Sequence, residues 1–113
     1  MFLSSLKNLG LNENEQLVYL SLLQLEKATA NQIATKAQLK RPTVYDILYR
    51  LHSEGYIAEA HENGKRYFIA HSPSNLVTLV DTKKQAIERD LPYLLSIYNT
   101  QAQKPKIAYF EGL

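Results

Sequence analysis

Residues 40–55 read KRPTVYDILYRLHSEG, and the placing of the apolar side chains in this stretch decides the fold. Val44, Ile47, Leu48 and Leu51 stand at i, i+3, i+4 and i+7, the spacing that gathers side chains on one stripe of an α-helix. That stripe must pack against other elements. The opposite side carries Pro42, Asp46, Tyr49 and Ser53, with Thr43, Tyr45 and Arg50 on its flanks and Lys40 and Arg41 at its start. Pro42 suits a first turn, where its missing donor costs nothing, and Gly55 suits the left-handed position that closes a helix. A packed back, a polar and aromatic front and cations at one end suit a helix laid in the major groove of DNA.

Working towards the N-terminus, Asn12 and Glu15 have the spacing of a capping box, which starts a helix at Glu13. Leu17, Val18, Leu20, Leu22, Leu23 and Leu25 cover more than half of its circumference up to about Glu26, so it is read as a scaffold helix between other elements. Lys27 to Thr29 could form an extended rung, and Ala30 to Ala37 a short helix with Ile33 and Ala34 inward. Gln38, Leu39 and Lys40 then make a tight connection, with Leu39 as a plug between the helices. A short helix, a turn and a longer helix form a helix-turn-helix.

Working towards the C-terminus, Tyr56–Glu62 and Lys65–His71 flank Asn63 and Gly64, and an Asn-Gly pair between two strand-like runs signals a two-residue hairpin. The register sets Glu62 opposite Lys65, Ala60 opposite Tyr67 and Ala58 opposite Ile69, with His61 and Arg66 sharing the other side. Three helices and this hairpin make a winged helix-turn-helix, mainly α with a small β-hairpin wing. Lys65 and Arg66, just past the tip, are placed for phosphates or the minor groove. Tyr19, Tyr56 and Tyr67 are expected in the core.

Ser74 is expected to cap a long helix from about Asn75 to Thr100. Val77, Val80, Lys84, Ile87, Leu91, Leu94 and Tyr98 alternate in steps of three and four, a heptad seam with Lys84 as its polar member. A small domain cannot cover that seam, which implies a coiled-coil or antiparallel contact with a second copy. Pro92 is expected to kink or restart the helix near Asp90. The organisation is thus a winged domain over 1–73, a dimerisation helix over 74–103, and at 104–113, strand-like from Ile107 to Phe110, the start of a further domain.

Composition limits the function classes. With 113 residues and 45% apolar content the chain can bury a real core, and disorder or a fibrous repeat is not expected. A net charge of only +2 means that any DNA footprint is local. The absence of cysteine leaves no disulfide framework or thiolate metal site, and the first eleven residues lack the apolar run of a signal peptide. No apolar run is long enough for a membrane span. A cytoplasmic, nucleoid-associated chain is expected. His52, His61 and His71 lack metal-ligand spacing, the glycines serve turns and caps, and no nucleophile stands with a base, so neither an enzyme nor a cofactor is expected.

The order LGLNENEQLVYLSLLQL (9–25), ATANQIA (28–34), RPTVYDILYRL (41–51), GYI (55–57) and KRYFIAHSP (65–73) resembles the N-terminal domain of TrmB-type transcriptional regulators. The resemblance covers Leu6 to Pro73 and, more by pattern, the helix that follows. It implies a winged-helix regulator whose helix after the wing mediates dimerisation and whose separate C-terminal domain senses a ligand. PKIAYFEGL (105–113) resembles the start of that second domain, and a small-molecule effector is expected only where such a domain is present.

The reading that follows is sequence-specific binding of double-stranded DNA by a homodimer, with two recognition helices about one turn apart on a pseudo-palindromic operator. Lys40 and Arg41 would hold phosphates; Pro42, Thr43, Tyr45, Asp46 and Tyr49 would line the groove face; Arg50 would reach the flanking backbone, and Lys65 and Arg66 would serve the wing. Asp46 is read as the partner of Arg50 four residues on; acceptance from a cytosine amino group is its alternative. Tyr45 and Tyr49 could instead be partly buried. Two rivals stand beside this reading: a winged helix used for protein assembly in transcription or chromatin machinery, and a regulatory module of a larger enzyme.

Overall fold

The computed structural model describes residues 2–102. The helices are α1 (Ser4–Asn8), α2 (Glu13–Leu25), α3 (Ala30–Ala37), α4 (Arg41–Ser53) and α5 (Ser74–Ala102), and the strands are β1 (Lys27–Ala28), β2 (Ile57–Glu62) and β3 (Lys65–Ala70). The sheet is antiparallel in the order β1-β3-β2. The chain divides into a unit ending at Leu76 and a second beginning at Val77.

In the first unit the stripe Val44, Ile47, Leu48 and Leu51 is buried, joined by Val18 and Leu22 of α2, Ile33 of α3 and Ile57 and Phe68 of the hairpin. Each such side chain removed from water contributes about 1.5–3 kcal/mol, which is what holds three short helices and a small sheet as one body. Tyr19 and Tyr56 meet edge to face with ring centroids 6.2 Å apart, and burial pushes both phenols above their ordinary pKa. Tyr67, expected in the core, is only half-buried and lies under the ammonium of Lys27. Leu39 is likewise half-buried.

Local signals account for most boundaries. Asn12 Oδ1 accepts from the Glu15 amide and Glu15 Oε1 from the Asn12 amide, both at 2.8 Å, which is the capping box expected for α2. Thr29 and Gln32 form a second such box on α3. Gly55, at φ 89°, follows α4, and the amide of Tyr56 bonds the carbonyl of Leu51 as in a Schellman closure. The expected rung is β1, whose Lys27 and Ala28 pair with Ile69 and Phe68 of β3. The hairpin register matches the sequence reading at every pair from Ile57↔Ala70 to Glu62↔Lys65.

Three features depart from expectation. The short helix α1 precedes the scaffold helix; buried Gln16 secures it, its side chain accepting from the Leu3 amide at 2.9 Å and donating to the Leu11 carbonyl at 3.2 Å. The hydroxyl of Ser72, rather than of Ser74, accepts a free amide at the start of α5, that of Ser74 itself. Pro92 neither ends nor restarts α5, which runs unbroken for 29 residues. The carbonyl of Glu88, which loses its donor to Pro92, belongs to an exposed stretch where solvent can serve it.

In the second unit, Val77, Val80, Ile87, Leu91, Leu94 and Tyr98 are all exposed, as are Tyr93, Leu95 and Ile97 on other faces of α5. The expected strand at Ile107 to Phe110 and the further domain at 104–113 lie outside the described residues. Among the described residues no helix is long and apolar enough to cross a membrane.

Candidate nucleic-acid interface

With its back buried, α4 presents Arg41, Pro42, Tyr45, Asp46 and Tyr49 outward, while Thr43 is half-buried. The two tyrosines are exposed rather than packed, Tyr49 to 77% and Tyr45 to 40%. Lys40 is the N-cap residue and makes no side-chain cap, and Pro42 follows in the first turn. The amides of Arg41 and Thr43 therefore have no partner from an N-cap side chain, and the positive end of the helix dipole lies between two exposed cations.

The structure sorts the basic residues into held and free. Arg50 does not pair with Asp46. Its Nη1 donates to Glu15 Oε2 at 2.5 Å and its Nη2 to the Gly10 carbonyl at 3.3 Å. The physical reason is desolvation: the Glu15 side chain is only 6% exposed, so its carboxylate has far more to gain from a cation than a solvated Asp46 has. Asp46 is left on the outward face without an ion pair among the described residues.

The wing shows the same division. Arg66 donates through Nε to Glu59 and lies over the Phe68 ring, 5.1 Å from its centroid, and His61 Nε2 stands 3.2 Å from the same carboxylate. The hydrogen bond from Arg66 holds the Glu59 carboxyl below its ordinary pKa, with His61 adding to the effect. Glu62, opposite Lys65 in the register, is bonded instead to Lys27 Nζ at 2.6 Å. Lys65 is thus exposed at the tip and free of any acid among the described residues.

Lys40, Arg41, Pro42, Tyr45, Asp46 and Tyr49 therefore share the outward side of α4, with Thr43 at its edge, and Lys65 stands at the wing tip. Arg50 and Arg66 are engaged by carboxylates. Of those, Glu15 enters the sequence reading only as the acid of the capping box, and Glu59 is given no part in it. The Glu59–Arg66 pair was accessible from the hairpin register, since the two are diagonal neighbours on one face; the Glu15–Arg50 pair spans 35 positions and left no local signal.

A family model described as "Sugar-specific transcriptional regulator TrmB" matches residues 6–74. The chain belongs to the TrmB family. The match covers α2 to β3, the helices and wing just described, and makes this TrmB chain a winged-helix member of a transcription regulator family.

Solved structures share the TrmB fold. One described as TrmBL2, an archaeal chromatin protein with a novel mode of DNA binding, superposes with a TM-score of 0.71 at 18% identity, over 82% of this chain and 36% of that one. A possible transcriptional regulator from Methanosarcina mazei gives 0.63 at 16% identity, covering 80% and 81%. TubR from Bacillus thuringiensis, bound to 24 bp of tubC, gives 0.53 at 19% identity, covering 71% and 88%. Among curated proteins, the phenylalanine–tRNA ligase alpha subunit of Pyrococcus horikoshii is 32% identical over 87 residues, which are 77% of this chain and 15% of that subunit.

Proposed function

We propose that this TrmB-family chain binds double-stranded DNA sequence-specifically as a homodimeric transcriptional regulator, with α4 in the major groove and the wing on the flanking backbone or minor groove. The observation that supports this most is the sorting of cations. Lys40 and Arg41 stand uncommitted at the uncapped start of α4 and Lys65 at the wing tip, the places where a winged helix meets phosphates. Pro42, Thr43, Tyr45, Asp46 and Tyr49 would face base edges and sugars between them. Arg50 and Arg66 take a different part: Arg50, held by Glu15, ties α4 to the start of α2, and Arg66, held by Glu59, ties the two wing strands together.

Asp46, freed of Arg50, is read as an acceptor for a cytosine amino group, which makes it a source of sequence preference rather than affinity. Dimerisation through Val77, Val80, Lys84, Ile87, Leu91, Leu94 and Tyr98 would set two recognition helices on successive major grooves of a pseudo-palindromic site. A small-molecule effector would act through a domain beyond the described residues.

The test is a salt titration of affinity for a labelled duplex from the region upstream of the chain's own gene. Arg41→Ala and Lys65→Ala should each weaken binding and lower the salt slope by about one. Asp46→Asn should change the sites recovered from a randomised duplex pool. A flat salt dependence shared by the parent and both variants would overturn the assignment.

A second reading, a module that serves a protein or RNA partner inside a larger assembly, is favoured by the similarity to the phenylalanine–tRNA ligase alpha subunit. It predicts that competitor RNA or a purified partner, rather than duplex DNA, displaces the bound probe.

A further inference from the structure

We propose that Asn63 is a site of spontaneous deamidation, and that the modification weakens the wing's hold on DNA. Asn63 and Gly64 form the turn between β2 and β3, both exposed, with φ of 52° and 75°. In the reaction the backbone nitrogen of Gly64 bonds to Cγ of Asn63. The Cγ–N bond of the side-chain amide breaks, and its nitrogen departs as ammonia with the proton lost by Gly64. Water then opens the cyclic imide at either carbonyl, giving aspartate or isoaspartate. The balance is amide plus water to acid plus ammonia, with no change of oxidation state.

Three features of the turn favour this step: a glycine successor, exposure and an unbonded amide. The Gly64 amide carries no hydrogen bond among the described turn and loop bonds, since in a two-residue hairpin loop the flanking residues make the pairs. The space beside Gly64 is open: a Cβ built there would meet no atom within 4 Å outside its chain neighbours. Other asparagines lack this successor; Asn8 precedes Leu9, Asn12 precedes Glu13, Asn14 precedes Glu15, Asn31 precedes Gln32, Asn75 precedes Leu76, and Asn99 precedes Thr100.

The consequence follows from position. A new carboxylate arises two residues from Lys65, the wing cation with no acid partner, and adds to the charge of Glu62 at the tip. The isoaspartate product also puts one more carbon into the main chain of a two-residue loop, whose length fixes the hairpin register. The effect on affinity rests on the DNA reading; the chemistry does not.

The full chain is aged in mildly alkaline buffer and sampled for two measurements: peptide mass, with isoaspartate labelling by a protein isoaspartyl methyltransferase, and affinity for the upstream duplex. Asn63 should gain the mass of an amide-to-acid change ahead of the other asparagines. Affinity should fall in step with the converted fraction, and Asn63→Asp should bind roughly fivefold more weakly with a salt slope lower by about one. Asn63→Gly, which keeps a turn of two left-handed residues and has no side-chain amide, should age without loss. Persistence of the Asn63 amide while other asparagines convert overturns the proposal, as does Asn63→Asp binding equal to the parent. A fresh chain that binds no duplex overturns the DNA reading and the affinity half with it, while the mass measurement still decides the chemistry.

Discussion

Arg50 shows how one side chain can be drawn from the solvent face to the scaffold. Its guanidinium bridges Glu15 and the Gly10 carbonyl, so it ties the last turns of α4 to the first turn of α2. Arg50→Ala leaves a buried carboxylate with only its cap amide as partner and should destabilise the fold by about 2 kcal/mol in chemical denaturation. If Arg50 positions rather than contacts, the variant's DNA affinity falls without a change in salt slope; a slope lower by about one would return Arg50 to the phosphates. Glu26 offers the opposite sign. It leaves α2 at φ 69° and ψ −56°, a region costly for any residue with a Cβ. Glu26→Gly should therefore stabilise the chain by about 1 kcal/mol, read as a higher denaturation midpoint; a lower midpoint would mean that the Glu26 side chain contributes more than its backbone strain costs.

The wing's face built from Glu59, His61 and Arg66 makes stability depend on acid. Because the folded carboxyl of Glu59 has a lowered pKa, its pairing contributes stability fully above the ordinary carboxylate range and loses it as pH falls through the lower folded value. Glu59→Gln should flatten that part of the stability profile while leaving neutral-pH folding intact; thermal melts of both proteins over the acid range decide it. The hairpin was legible beforehand because its signals are local: the Asn63–Gly64 turn fixes the register, and the register fixes every pair. The capping box at Asn12 and the closure at Gly55 were legible for the same reason. Helix α1 was not, since five residues are too few to show periodicity and its place depends on Gln16, which follows it in sequence. The partner of Arg50 was hidden because burial of the Glu15 carboxylate, not spacing along a helix, decided it; that of Arg66 was readable from the hairpin register. The restart expected at Pro92 does not occur: α5 continues through it, the lost bond falling on an exposed carbonyl that solvent can serve. Pro92→Ala should accordingly raise the helicity of α5, by about 3 kcal/mol of local stability at most, seen as a gain in far-ultraviolet circular dichroism.

At the scale of the whole molecule the open question is what covers α5. A helix of 29 residues, roughly 44 Å long, that exposes Val77, Val80, Ile87, Leu91, Leu94 and Tyr98 along one stripe carries more apolar surface than a lone helix in water retains. In the proposed homodimer a second copy covers it, and Lys84 gives the means to test the register as well as the existence of that contact. A cation at a central seam position costs stability in a paired coil, so Lys84→Leu should tighten self-association, whereas Leu91→Asp with Leu94→Asp should dissociate it. Sedimentation across a concentration series reads both. Dissociation should also lower operator affinity by about a hundredfold or more, because two half-sites are then no longer bound by one linked pair of domains, while denaturation of the winged unit stays unchanged. If Leu91→Asp with Leu94→Asp dissociates the chain and Lys84→Leu does nothing, the copies meet on a stripe that omits Lys84. Tyr93 and Ile97, exposed on another face, would then be the residues to substitute next.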